Sequence, residues 1–187
     1  MMKNTNIIIV GVGGQGILLT SKILGYLALD MGENVKVSEV HGMSQRGGSV
    51  ITHVRIGQEV HSPLVDPGEA DFVLSFEKLE ALRAEHYLKK DGVLISNTQE
   101  ILPMPVIMGT AAYPDKAPES RNAVLLDALK LAEEAGSARA VNIVLLGVLS
   151  RFMKEWPQEK WENAIQACVP QKTLETNLRA FRAGVKG

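Results

Sequence analysis

The stretch Ile7-Ile8-Ile9-Val10-Gly11-Val12-Gly13-Gly14-Gln15-Gly16-Ile17 decides the fold. Four β-branched residues in a row suit a strand, and the glycines that follow allow a tight turn. From Ile17 to Met31 the apolar residues recur at helical spacing and stop at Gly32, where a left-handed C-cap is expected. Strand, glycine turn and helix therefore open the chain. Asn34 to Val40 alternates Val35 and Val37 with polar residues, which predicts a second strand and a completed βαβ unit.

Working outward, Val50 to Ile56 and Glu59 to His61 flank Gly57-Gln58, a hairpin signal that predicts an antiparallel excursion. Asp66-Pro67-Gly68 reads as a turn, Phe72 to Phe76 as a strand, Glu77 to Leu88 as a helix and Gly92 to Ser96 as a strand. Pro103, Pro105, Pro114 and Pro118 leave room between Asn97 and Glu119 for short strands only, near Val106 to Met108 and Thr110 to Tyr113. Ser120 reads as the N-cap of a helix through Val124, Leu125, Ala128 and Leu129 that stops at Gly136. Three helices follow, over Ala140 to Phe152, Pro157 to Cys168 and Thr173 to Phe181. The expected fold class is α/β: a Rossmann-like, doubly wound, mostly parallel but mixed sheet with a helical C-terminal tail, in one domain over residues 1–187.

Composition narrows the function. With 20 basic and 21 acidic residues the chain has no field to gather phosphates at long range, so nucleic acid is not an expected partner. The longest apolar run, Val141 to Leu149, is far short of the roughly 20 residues of a membrane span, so no membrane partner is expected either. No signal peptide is evident, and a single cysteine, Cys168, fits a reducing cytoplasm. One thiol cannot ligate an iron–sulfur cluster, and His41, His53, His61 and His86 share no metal-ligand spacing, so no metal site is expected on this chain.

Gly11, Gly13 and Gly16 satisfy G-x-G-x-x-G after a strand and before a helix, where backbone N–H groups and the helix dipole favour an anion. Glu39, at the end of the second strand, stands where a ribose-binding carboxylate would sit, which keeps a free-standing NAD(P)-binding oxidoreductase open. Against it, no Tyr-x-x-x-Lys pair or other hydride-transfer set is evident, and the glycines also suit plain strand-to-helix packing in a non-catalytic scaffold. A second glycine segment, His41-Gly42-Met43-Ser44-Gln45-Arg46-Gly47-Gly48, brackets one guanidinium with bare backbone, a composition suited to a carboxylate or phosphate. An arginine-anchored turn is the plainer alternative. Asn142, inside an apolar helix, is either a structural pin or a crevice residue, with the pin favoured. Phe152, Trp156 and Trp161 read as core, with an interface as the alternative.

Taken together, the two glycine segments resemble the gamma-type domain of the 2-oxoacid:ferredoxin oxidoreductases, and the His-Gly-Met-Ser-Gln-Arg-Gly-Gly form is similar to the indolepyruvate branch, beta subunit. Further matches run along nearly the whole chain: Thr52-His53-Val54-Arg55, Ser62-Pro63, Ala70-Asp71, Glu77, Glu80-Ala81, Asn142, Asn177, Ala180-Phe181 and Gly184. The resemblance implies a small subunit that supports coenzyme A-dependent oxidative decarboxylation of a 2-oxoacid such as indolepyruvate. It implies that thiamine diphosphate and [4Fe-4S] clusters sit on a large partner subunit that passes electrons to ferredoxin, and that the isolated chain is inactive. The expected binding residues are Gly11, Gly13, Gly14, Gln15 and Gly16 with Ser44, Gln45, Arg46, Gly47 and Gly48, and no catalytic residue is expected on this chain.

Overall fold

The computed structural model describes residues 4–41 and 48–187, the side chain of His41 excepted. In chain order the regular elements are β1 (Thr5–Val12), α1 (Ile17–Asp30), β2 (Asn34–His41), β3 (Ser49–Gly57), β4 (Ala70–Ser75), α2 (Lys78–Ala84), β5 (Leu88–Asn97), α3 (Met104–Ile107), β6 (Ala123–Leu126), α4 (Ala128–Glu134), α5 (Val141–Ser150), α6 (Gln158–Cys168) and α7 (Leu174–Lys186). One sheet in the order β2-β3-β1-β4-β5-β6 holds all the strands. β1, β4, β5 and β6 pair in parallel, while β3 runs antiparallel to both β2 and β1. The expected mixed, doubly wound α/β architecture is thus present.

β1 shows why the apolar run is continuous. Ile7 and Ile9 join the larger core under α1, α5, α6 and α7, whereas Ile8 and Val10 join a smaller core with Ala81 and Ala84 of α2. All four are essentially sealed from solvent. Each such side chain contributes roughly 1.5–3 kcal/mol relative to exposure, so a polar residue at any of them would damage one core or the other. α5 is the centre of the thicker layer, with every residue from Val141 to Leu149 buried. It touches α7 where Gly147 faces Gly184, because a Cβ on either would run into the other helix's backbone.

Four local readings differ from the structure. The expected βαβ unit is interrupted: β3, not β2, lies beside β1. The link from His41 to Ser49 is too short for a parallel crossover, which needs a dozen or more residues, so the chain returns antiparallel and fills the gap. The Gly57-Gln58 hairpin does not form, because β2 and β1 already occupy both flanks of β3 and leave no ladder for residues 59–61. The short strands expected near 106–108 and 110–113 are absent, and the segment instead makes the one-turn α3, with Pro105 in its first turn where a missing N–H costs nothing. Finally, Val124 and Leu125 belong to β6, and the helix begins after Asp127, whose carboxylate accepts from Lys130 N–H at 2.9 Å. The three C-terminal helices stand where the periodicity puts them. Trp161 and Phe181 are fully buried and stacked at 6.1 Å, while Phe152 is partly exposed.

Candidate functional site

The crossover after β1 goes to α1 on one face of the sheet, and the crossover after β4 goes to α2 on the other. The carboxyl ends of β1 and β4 are therefore a topological switch point, where open α/β sheets place their ligands. Gly11 continues the strand opposite Val50. A Cβ there would lie 2.7 Å from the Gln15 side-chain amide oxygen, so Gly11 serves close packing.

The turn itself is braced by Gln15. Its side-chain oxygen accepts from Val12 N–H at 2.7 Å, and its amide nitrogen donates to the Phe76 carbonyl at 3.1 Å. This side chain spans the switch point and stitches the β1 turn to the β4 turn. Both of its hydrogen-bonding ends are used within the fold, so what the turn offers a ligand is backbone. Gly14 and Gly16 both have positive φ, 97° and 86°, conformations that cost an ordinary residue strain. Gly16 is the N-cap of α1 and brings no capping side chain. The N–H groups of the first helical turn lack intrahelical partners, and the dipole of a 14-residue helix adds partial positive charge there.

Asn142 stands behind this turn. It is 2% exposed, and its amide donates to the Gly16 carbonyl at 3.3 Å, fixing the start of α1 against α5. It is the pin that its place in an apolar helix suggests, and it also borders a crevice. That crevice, about 440 Å³, runs from Gly14 and Gly16 past Gln99 and Leu129 to Arg139. Among the described residues its lining holds one cationic side chain and no carboxylate. Arg139 is exposed, and its guanidinium makes no ion pair among the described residues. Sequence reasoning missed it because it lies far along the chain in a short helical turn, outside any glycine motif.

The second glycine segment meets the first directly. Gly13 N–H donates to the Gly48 carbonyl at 3.0 Å, and Val12 pairs with Ser49. Gly48, the last residue of the second segment, therefore lies at the same edge of the sheet as the first. Ser44, Gln45, Arg46 and Gly47, with Gly42 and Met43, lie outside the described residues, as does the side chain of His41. The exit of this segment is anchored: Ser49 Oγ donates to Glu80 at 2.5 Å, and the other Glu80 oxygen accepts from Arg83 at 2.6 Å.

A second brace, unread in the sequence, surrounds Glu77. This carboxylate is 1% exposed and N-caps α2 by accepting from Glu80 N–H at 2.9 Å. Its other oxygen accepts from Ile101 N–H at 3.0 Å and from the Tyr113 hydroxyl at 2.5 Å. Burial, then the hydrogen bond and the negative charge of Glu77, push the Tyr113 phenol well above its ordinary range. Asn97, fully buried, extends the same edge by donating to the Phe76 carbonyl and accepting from Ala128 N–H.

The geometry also bears on Glu39. β3 separates β2 from β1, so Glu39 stands level with Ile9 and two strand spacings from β1, about 10 Å at the usual sheet spacing. A ribose-binding carboxylate belongs on the neighbouring strand. The strand order thus removes the feature that kept a nicotinamide reading open.

Among the described residues no group of three His, Cys, Asp or Glu side chains is placed to hold a metal ion, and no helix is long and apolar enough to cross a membrane.

Comparison with known proteins agrees with this architecture. The chain is 47% identical over 196 residues to indolepyruvate oxidoreductase subunit IorB of Thermococcus kodakarensis, covering 99% of this chain and 96% of that one. It is 41% identical to the subunit of the same name from Archaeoglobus fulgidus, covering 96% and 92%. Its fold matches the gamma subunit of a keto/oxoacid ferredoxin oxidoreductase from Geobacter sulfurreducens with a TM-score of 0.76 at 24% identity, covering 97% of this chain and 96% of that one. The family model for pyruvate ferredoxin/flavodoxin oxidoreductase matches residues 6–187, nearly the whole chain: the chain belongs to that family.

Proposed function

We propose that this chain is the small subunit of an indolepyruvate:ferredoxin oxidoreductase, a single gamma-type domain that completes a larger complex and presents an anion-binding edge to coenzyme A. The observation that carries this reading is the Gly13-to-Gly48 hydrogen bond. It sets Gly48, the last residue of the second glycine segment, beside the first glycine turn at the switch point, next to a crevice whose lining among the described residues has a guanidinium and no acid. The near full-length likeness to two indolepyruvate oxidoreductase subunits supports the substrate class.

In this reading Gly14 and Gly16 shape the turn, the α1 N-terminus supplies uncapped N–H groups, and Arg139 and Arg46 supply charge to the phosphates of coenzyme A. Gln15 and Asn142 hold the turn in shape without meeting the ligand through charge. Ser44, Gln45, Gly47 and Gly48 are the remaining expected contacts of the second glycine segment.

The redox groups belong to the partner. The chain has one cysteine, Cys168, whose thiol is pushed up by burial and is correspondingly poor as a thiolate ligand. Four such ligands are needed for a [4Fe-4S] cluster. The residues present do not fit a cluster, and we assign clusters and thiamine diphosphate to the large subunit, with ferredoxin met through the complex in the cytoplasm.

The test is reconstitution with the large subunit, followed by ferredoxin reduction with indolepyruvate, other aryl pyruvates and small aliphatic 2-oxoacids. The reading predicts coenzyme A-dependent turnover that requires this chain and is fastest with aryl pyruvates. Equal turnover when this chain is omitted contradicts it.

A further inference from the structure

At the opposite, amino-terminal edge of the parallel strands lies a second cleft of about 430 Å³, between the start of β1, the end of β3 and the start of β4. Its apolar wall includes Trp156 and Phe72, and three acidic residues, Glu33, Asp71 and Glu155, are among those that line it. Asp71 is already compensated, by Lys89 and by the N–H of Asn6. Glu155, exposed at the mouth, makes no ion pair among the described residues.

Glu33 is the informative group. It is 5% exposed, and one of its oxygens accepts from the Gln58 amide at 2.9 Å. The other oxygen is buried and has no hydrogen-bond partner. A buried carboxylate oxygen without a donor is costly, and its presence calls for a donor that the described residues do not supply. Metal coordination is not the answer, since no group of three ligating side chains converges among the described residues. An indole beside two carboxylates that no cation pairs with among the described residues is instead the chemistry that recognises an organic cation, through cation–π attraction and charge-assisted hydrogen bonds.

We propose that this cleft binds a guanidinium or primary ammonium group, seated between Glu33 and Glu155 against Trp156. It lies at the far edge of the sheet from the anion crevice, so both sites can be filled at once. The cation comes either from a free small molecule or from an arginine or lysine side chain of another polypeptide, and the same recognition serves both.

The chain has two tryptophans, so the indole N–H region of a nitrogen-15 spectrum gives two reporters, Trp156 in the cleft wall and Trp161 fully buried. The full chain is titrated with N-ethylguanidinium, with the peptide acetyl-Gly-Arg-Gly-amide, and with the same peptide carrying neutral citrulline for arginine. The expected result is a saturable shift of the Trp156 signal with both guanidinium probes and none with citrulline. Glu33→Gln and Glu155→Gln each weaken binding, by about tenfold for a lost charge-assisted contact. Tighter binding of the peptide assigns the source to a polypeptide, and equal or tighter binding of N-ethylguanidinium assigns it to a free small molecule. No saturable shift, an equal shift with citrulline, or binding unchanged in Glu155→Gln, whose exposed position leaves the fold intact, overturns the proposal.

Discussion

Asn142 in α5 donates its amide hydrogen to the carbonyl of Gly16, the N-cap of α1, across 126 residues of sequence. The contact is tight from the other direction as well: a Cβ on Gly16 would sit 2.8 Å from the Asn142 amide nitrogen. Glycine at 16 and asparagine at 142 are therefore matched, and the start of α1 is held by a helix on which no glycine motif lies.

This matching predicts coupling. Gly16→Ala combines positive-φ strain with a steric clash and is expected to destabilise by about 2–4 kcal/mol. Gly14→Ala, at similar φ but with nothing within 4 Å of the added Cβ, carries strain alone, about 1–2 kcal/mol. Asn142→Ala removes one buried hydrogen bond, about 1 kcal/mol. In the double variant Gly16→Ala/Asn142→Ala the clash is relieved, so the loss falls short of the sum of the singles in chemical denaturation, by about 0.5–3 kcal/mol. Strict additivity would show that the two residues do not touch.

Glu77 governs the segment beyond β5. Tyr113→Phe takes away a hydrogen bond to a buried carboxylate and is expected to cost about 1.5–3 kcal/mol. Glu77→Gln costs more, because its amide N–H₂ must face a backbone N–H of Glu80 or Ile101, a donor against a donor. Hydrogen exchange should locate the change: the amide of Ile101 loses protection in Glu77→Gln while those of β1 keep it.

His53 makes stability depend on pH. Its ring nitrogen Nδ1 accepts from Val65 N–H at 3.1 Å, which requires the neutral ring, and burial lowers its pKa below the ordinary 6.5. The unfolded chain thus takes up a proton near pH 6.5 that the folded chain takes up only at lower pH. Stability is complete above that value and is lost as pH falls below it. The variant His53→Asn, with a non-titrating acceptor, is expected to show a flatter thermal midpoint between about pH 7 and 5. Parallel pH profiles for the two proteins would contradict this.

How much was legible beforehand follows from these contacts. β1, its glycine turn and α1 could be read because a continuous β-branched run and helical spacing are local signals, and the same holds for α5, α6 and α7. The order of β2 and β3 could not, because it is decided by the length of a connection and by which strand flanks remain free. Val124-Leu125 fitted a helical period by chance, and only the open edge of β5 makes them a strand. Within the site, the glycines and Asn142 announced themselves by being out of place in apolar surroundings. Arg139 and the Glu77–Tyr113 pair did not, since their roles come from the fold bringing distant segments to one edge.

The central claim, that this chain supplies the anion-binding edge of a coenzyme A-dependent complex, is tested most directly by the KM for coenzyme A in the reconstituted enzyme carrying Arg139→Ala or Arg46→Ala. Loss of one charge-assisted phosphate contact predicts a rise in KM of about tenfold or more with kcat for saturating coenzyme A little changed. A KM for coenzyme A unaltered in both variants, in complexes that assemble normally, would contradict it.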